Sequence, residues 1–431
     1  MDAASKAQRI RDALPEGGLF DGHEWRIATE PFPLDANIAR ELESLGRVLL
    51  QFYRAADLLY RHSVAGKQPA WVAEWLDQGK PKSLLDWPQQ SGLTTALPRV
   101  LRPDILLTED GWRITELDSV PGGIGLTAWL NETYSKNAEV LGGARGMVDG
   151  FAGIFKGDGP VHVMVSEESA TYRPEMEWLC ARAGGRFAVC NASYDRLTEG
   201  DSVYRFFELF DLENVPAHSK LFEKAASKQI QLTPPPKAHL EEKMLFALFS
   251  NRNLREFWQR ELGGKFMRQL DQVFPQTWLV DPTPLPPHAA LPGLDITDWR
   301  QLAALSQKDR QLVLKLSGFN ERAWGARSVR LGSDLSQADW ATAVTEAIAG
   351  FGESPWVLQR YEKPRRVEHE WFDFGSGEAR TMLGRVRLCP YYFVDSEDEV
   401  KLGGVLATVC PADKKIIHGM RDAILAPCAV A

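Results

Sequence analysis

Several kinds of chemistry are missing from this sequence. Its five cysteines, Cys180, Cys190, Cys389, Cys410 and Cys428, are scattered and odd in number, and none forms a C-x-x-C pair. Neither a disulfide framework nor a cysteine zinc site is indicated. His162, His218, His239, His369 and His418 are dispersed; no H-x-x-x-H pair, Ser/His/Asp grouping or G-x-S-x-G occurs, so hydrolase triads are poor candidates. No apolar run is long enough to span a bilayer, and the opening MDAASKAQRIRDALPEGG lacks the apolar centre of a signal peptide. The cytoplasm is therefore the expected location, with no membrane partner. Basic charge is not in excess: a net charge of −8 and a pI near 5.6 argue against a nucleic-acid partner. What remains is an ordinary globular composition, 44% hydrophobic and 25% charged over 431 residues, enough for two or three packed units.

The most informative stretch is Arg102 to Gly125, RPDILLTEDGWRITELDSVPGGIG. RPDILL is a short apolar run, Glu109, Asp110 and Gly111 form a turn signal, and WRITELD alternates as a second strand, which predicts a hairpin. In it Asp104 lies near the open end of one strand, while Glu116 and Asp118, two apart, share a face of the other. Carboxylates gathered in this way repel one another unless a cation neutralises them, and hard oxygens suit Mg²⁺. The competing reading is a hairpin whose acids face water. Arg102 stands beside the acids, and Pro121, Gly122, Gly123 and Gly125 can bring backbone N–H groups close to an anion.

Before the hairpin, apolar residues recur at helical spacing from Leu34 to His62, and a second helix is expected around Pro69 to Leu76. After it, Leu126 to Leu141 and Gly146 to Phe155 suit helices, the first with its N-terminus facing the acidic site. Gly159 to Val165, Tyr172 to Ala183 and Arg186 to Cys190 read as strand, helix and strand, with Tyr204 to Leu209 as a further strand. Together they describe a small open α/β sheet. Pro234, Pro235 and Pro236 then mark a boundary.

Leu240 to Val273 is rich in helix formers. Gln311 to Leu316 (QLVLKL) is a strand carrying Lys315. Behind it runs SGFNERAWGARSVRL, bounded by Gly318 and Gly325, with Arg322, Arg327 and Arg330 in or just after it and a strand resuming at Ser328. A strand, a lysine and a glycine-bounded loop can close over polyphosphate, although an ordinary β-hairpin fits the same letters; the G-K-[ST] of a Walker motif is absent. Trp340 to Ala349 suits a helix. WVLQRYEKP reads as a strand ended by Pro364, either a buried edge or the segment between two lobes that borders adenine through Gln359, Arg360 and Tyr361. Met382 to Phe393 and Gly403 to Val409 are expected to pair. They carry Arg385 and Arg387 on one face, as an anion contact or as a salt-bridged surface.

R-x-D, then E-x-D, then the lysine strand with its glycine loop, then the hinge strand: this order resembles the ATP-grasp ligases, specifically the circularly permuted branch that includes the synthetase of glutathionylspermidine synthase. The resemblance covers Leu101 to Gly125 closely and about Leu240 to Pro411 in outline. It implies an α+β and α/β fold with an ATP-grasp-like nucleotide site between two α+β lobes, a small open α/β sheet domain and a helical N-terminal region. The expected domains are 1–100 (mainly helical), 101–158 (metal-binding hairpin and helices), 159–236 (small α/β platform) and 237–431 (ATP-binding lobes). By the same resemblance Asp104, Glu116 and Asp118 hold Mg²⁺ and Arg102 meets the transferred phosphoryl group. Lys315 contacts ATP phosphates within the Gly318 to Gly325 flap, and Gln359 and Tyr361 border adenine. A second ATP lysine falls at Lys265 or Lys243.

Asp118 stands where the family pattern has asparagine, and the flap is longer than the family's compact loop. No cysteine precedes Cys180, so the amidase half of glutathionylspermidine synthase is not expected. The implied activity is ATP-dependent joining of a small carboxylate and an amine through an acyl-phosphate, releasing ADP and phosphate. Alternatives are an inactive nucleotide-binding or regulatory protein, a magnesium-dependent phosphotransferase, and a structural protein with solvated acids.

Overall fold

A computed structural model describes residues 2–23, 25–285, 290–417 and 422–431. The fold is mixed α+β with three sheets among the described residues. The chain divides into two compact units, one of Met1–Leu50, Trp87–Pro236 and Pro364–Ala431, the other of Gln51–Asp86 and Lys237–Lys363. No helix among the described residues is long and apolar enough to cross a membrane.

The first unit is built on an eight-stranded sheet. Along its main path the strands run Arg26–Ile27, Ile424–Val430, Val400–Pro411, Glu378–Val394, Val100–Thr108 and Gly111–Asp118. The last two are the expected hairpin, closing at Thr108↔Gly111, where Gly111 takes φ 135, a left-handed conformation that favours glycine. The Trp112 indole donates to Glu41 on the helix Ala36–Val64 at 2.7 Å, fixing the hairpin tip.

The central strand Glu378–Val394 pairs antiparallel with Val400–Pro411 and with the hairpin. Its hairpin ladder contains Arg387↔Leu106 and Leu388↔Ile105, then resumes at Tyr392↔Leu101 and Phe393↔Val100. The gap sets Cys389, Pro390 and Tyr391 against Arg102, Pro103 and Asp104. Neither proline has an N–H to donate, so the ladder opens where the two face each other. A register shift between Asp104 and Ile105 adds to the distortion.

A second sheet in this unit is fully parallel, in the order Phe187–Asn191, Val161–Val165, Ser202–Phe206, Gln231–Thr233. The helix Arg173–Ala183 makes the crossover expected for a β-α-β unit. The helix expected over Leu126 to Leu141 is shorter, Ile124–Tyr134. Beyond it Asn131 Nδ2 donates to the carbonyls of Leu141 and Gly143, holding a turn in place of further helix.

In the second unit an antiparallel sheet runs Arg330–Leu331, Leu312–Leu316, Trp356–Arg360, Thr277–Leu279. Leu312, Leu314 and Leu316 alternate onto a core with Trp278, Trp340 and Trp356, part of it supplied by the helix Gln337–Ala349. The strand expected from Ser328 is only Arg330–Leu331. The Ser328 hydroxyl, buried in the flap, takes the Leu316 N–H at 3.2 Å, so a side chain replaces a rung of the ladder. The helix-forming stretch after Leu240 becomes Met244–Ser250 and Arg255–Val273, the latter kinked at Gly263 with φ 69 and ψ 163.

Candidate active site

The hairpin register decides how its charges meet. Arg102 lies directly opposite Asp118 and Asp104 directly opposite Glu116, so all four side chains share one face. Arg102 Nη2 donates to Asp118 Oδ2 at 2.8 Å, and its Nε lies 3.3 Å from Asp104 Oδ1. From the central strand, Arg387 Nη1 donates to Asp104 Oδ2 at 3.0 Å and the Cys389 thiol donates to Asp104 Oδ1 at 3.4 Å. Burial pushes that thiol up to about 12, so it stays protonated and able to donate. Burial also raises the Asp118 carboxyl, against the pull of Arg102 and of the Val120 N–H on its Oδ1 at 2.8 Å. Burial alone would lower the Arg102 guanidinium, but Asp104 and Asp118 hold it well above its ordinary value.

In donor type, though not in their present arrangement, the carboxylates suit a divalent cation. Three carboxyl groups face two guanidiniums, and all the donors are hard oxygens. As they stand, Asp104 and Asp118 carry arginine hydrogen bonds. Among the described residues no group of three or more His, Cys, Asp and Glu side chains is gathered to hold a metal ion.

The glycine turn has a different occupant from the one expected. Its amides do meet an anion, but that anion belongs to the chain: Glu175 Oε1 accepts the Gly123 N–H and Oε2 the Leu126 N–H, each at 2.8 Å. Glu175 therefore holds the N-terminus of the helix Ile124–Tyr134, where a phosphate would otherwise be favoured. Two glycines of the turn are demanded by close approach. A Cβ on Gly125 would stand 2.1 Å from the Glu175 carbonyl oxygen, and one on Gly122 would stand 2.2 Å from the Tyr172 ring. Burial pushes Glu175 up to about 7 despite the two amides that favour its charged form.

Beside these groups lies a cavity of about 200 Å³, lined by Arg102, Arg387, Gly122, Tyr172, Tyr391 and a leucine wall. The Tyr391 hydroxyl donates to the Gly122 carbonyl at 2.7 Å. Tyr172, Glu175, Cys389 and Tyr391 were not candidates from the sequence. The alternation of RVRLCPYYF carried part of the signal, since Arg387, Cys389 and Tyr391 recur at intervals of two.

In the second unit Lys315 is buried on the sheet face opposite the leucine core and donates to Gln359 Oε1 at 3.0 Å. Gln359 Nε2 in turn donates to Thr277 Oγ1 at 3.2 Å. Tyr361 follows the strand, its N–H on the Gln311 carbonyl at 3.0 Å. Gly318 is held by close packing: an added Cβ would stand 2.8 Å from the Glu241 carbonyl oxygen and 2.9 Å from the Glu242 carboxylate carbon. Gly325 has φ 64, the left-handed region. Arg322 pairs with Glu346 at 2.8 Å on the surface. Of the two lysines considered beside the flap, Lys243 is the one that reaches it, with Nζ on the Ala323 carbonyl at 3.0 Å. Lys265 is exposed, two residues after the Gly263 kink.

No family model and no curated protein matches the chain. Solved structures do. A glutathione synthetase-like effector from Globodera pallida, in its apo form, aligns over 100% of this chain and 98% of its own at 11% identity, with a TM-score of 0.53. A protein described as a candidate gamma-glutamylcysteine synthetase from Methylobacillus flagellatus aligns over 91% of this chain and 89% of its own. At 13% identity and a TM-score of 0.39 that second match carries no argument. The likeness to the effector is one of fold.

Proposed function

We propose that the protein is an ATP-dependent ligase of the permuted ATP-grasp kind, joining a small-molecule carboxylate to an amine through an acyl-phosphate and releasing ADP and phosphate. The observation that carries this reading is the acidic hairpin, which sets Arg102, Asp104, Glu116 and Asp118 on one strand face. The fold shared with a glutathione synthetase-like effector supports it.

In this reading Asp104, Glu116 and Asp118 hold Mg²⁺, which when bound supplies positive charge to phosphate oxygens. Arg102 orients the transferred phosphoryl group, and its pairing with Asp104 and Asp118 fixes its position beforehand. Lys315 and the loop from Gly318 to Gly325 bind ATP phosphates, with Lys243 in the role for which Lys265 was considered, and Gln359 and Tyr361 border the adenine. Cys389 and Tyr391 keep their protons and serve as donors, so no protein nucleophile is needed and positioning supplies most of the rate.

The test is ADP release with mixtures of candidate acids and amines. Asp104→Ala and Glu116→Ala should each abolish it, while Glu109→Ala at the hairpin turn should not. Unchanged turnover in the first two variants sinks the assignment. A second reading, a nucleotide-binding protein without chemistry, draws support from the arginine donors already on Asp104 and Asp118. Calorimetric ATP binding with no ADP formed under any mixture would favour it.

A further inference from the structure

The cavity beside the hairpin has two features that point to a particular ligand. The first is a pair of guanidiniums: Arg102 and Arg387 both line the cavity, and behind its surface the buried Nε–H of each finds no hydrogen-bond acceptor among the described residues. Arg102 Nε has Asp104 Oδ1 3.3 Å away as an ion-pair partner, outside hydrogen-bond geometry. A buried donor left unsatisfied is costly. Both arginines line the same cavity, and an acceptor-only, planar carboxylate is the group whose geometry matches a guanidinium edge.

The second feature is the rest of the lining. Leu126, Leu406 and Leu425 are buried residues of the cavity wall, and among the described residues no aspartate or glutamate lines it. Thr408 and the two tyrosines add neutral polar groups to the lining, but an α-ammonium group would find no carboxylate partner in it. At about 200 Å³ the cavity is smaller than the roughly 300–1,000 Å³ of sites that hold drug-sized ligands.

We infer that this cavity binds a compact monocarboxylic acid with an apolar body, held by Arg102 and Arg387 and covered by the leucine wall. The acid is the carboxylate substrate of the ligase reading, on which this inference rests. A tripeptide such as glutathione, with two carboxylates and an ammonium group, does not match the lining.

The probe is 4-methylpentanoate, with 4-methylpentanamide as the uncharged isostere, titrated by calorimetry into the full-length protein in Mg²⁺ buffer. Saturable one-site binding of the acid is expected, with the amide at least tenfold weaker. Arg387→Met should weaken the acid at least tenfold and Arg387→Lys by less, with circular dichroism confirming the fold of each. Equal binding of acid and amide to the unmodified protein, or no binding of the acid, overturns the inference without reference to any variant. Acid binding with no ADP release in the presence of any amine keeps the site and defeats the ligase reading. ADP release driven by glutathione, with 4-methylpentanoate neither binding nor competing, keeps the ligase and defeats the site.

Discussion

Replacing Glu175 by glutamine should change the pH dependence of stability in a way that can be worked out from the structure. An unfolded glutamate titrates near 4.5, whereas in the fold burial pushes Glu175 up to about 7. Because the folded value is the higher one, the native state binds more protons between these limits. The stability linked to Glu175 is therefore fully present below about pH 4.5 and is lost as pH rises through 7. At about 1.36 kcal/mol per pH unit the loss is about 3 kcal/mol. Tyr172, Tyr204 and Tyr391, the tyrosines that feel its charge, are all pushed upward by burial, Tyr172 to about 12, so none titrates in that window. Glutamine has one acceptor oxygen and turns its amide N–H₂ toward the other backbone donor, leaving Gly123 or Leu126 unsatisfied at a cost of about 1–3 kcal/mol. Glu175→Gln should thus be less stable than the unmodified protein at pH 5 by that amount, and the two should converge or cross by pH 8. Urea unfolding followed by tryptophan fluorescence, at half-unit steps from pH 4.5 to 8, reads the difference. A difference that stays constant over the series would refute the reasoning.

Other perturbations probe the remaining charge clusters. Arg102→Met leaves Asp104 and Asp118 without their shared cation in a buried setting and should cost about 3–5 kcal/mol; a variant as stable as the parent in urea would show that the pairing holds nothing. In the second unit Lys80 and Glu242 pair at 2.6 Å, with side chains 1% and 2% exposed. Glu242→Ala strands the lysine and should cost a similar amount in the same assay. Gly318→Ala should destabilise by about 1–3 kcal/mol through the Glu241 and Glu242 contacts, measured as a lowered Tm. Asp57 is held at about 2 by His239 and Lys237 although burial opposes this, so its contribution is present above the ordinary 3.8 and lost as pH falls through 2. Asp57→Asn leaves the buried Lys237 without its carboxylate, so it should cost about 3–5 kcal/mol at neutral pH and flatten the acid limb of the stability curve.

Much of the local order is legible in the letters because it depends on near neighbours. Asp110 and Gly111 with alternation on either side dictate the hairpin, and three strands of the parallel sheet, with a crossover helix between the first two, follow from their own apolar runs, whereas the edge strand Gln231–Thr233 does not. Leu312, Leu314 and Leu316 set one face of their strand to the core and thereby set Lys315 on the other. The extents of elements are less legible: the helix from Ile124 ends at Tyr134, and Asn131 Nδ2 ties the following turn through the carbonyls of Leu141 and Gly143.

What only the tertiary structure decides is which charges meet. That Arg102 faces Asp118 depends on a register shifted at Asp104, and that Arg387 reaches Asp104 depends on pairing with a strand hundreds of residues away in the chain. Two prolines that look incidental in sequence, Pro103 and Pro390, face each other and open the ladder beside the cavity. The glycine turn advertises an anion site, and the sequence cannot say that Glu175, on another helix, supplies the anion. Hydrogen bonds and ion pairs act over a few ångströms, so their partners are chosen by strand pairing and helix packing, which local spacing does not encode.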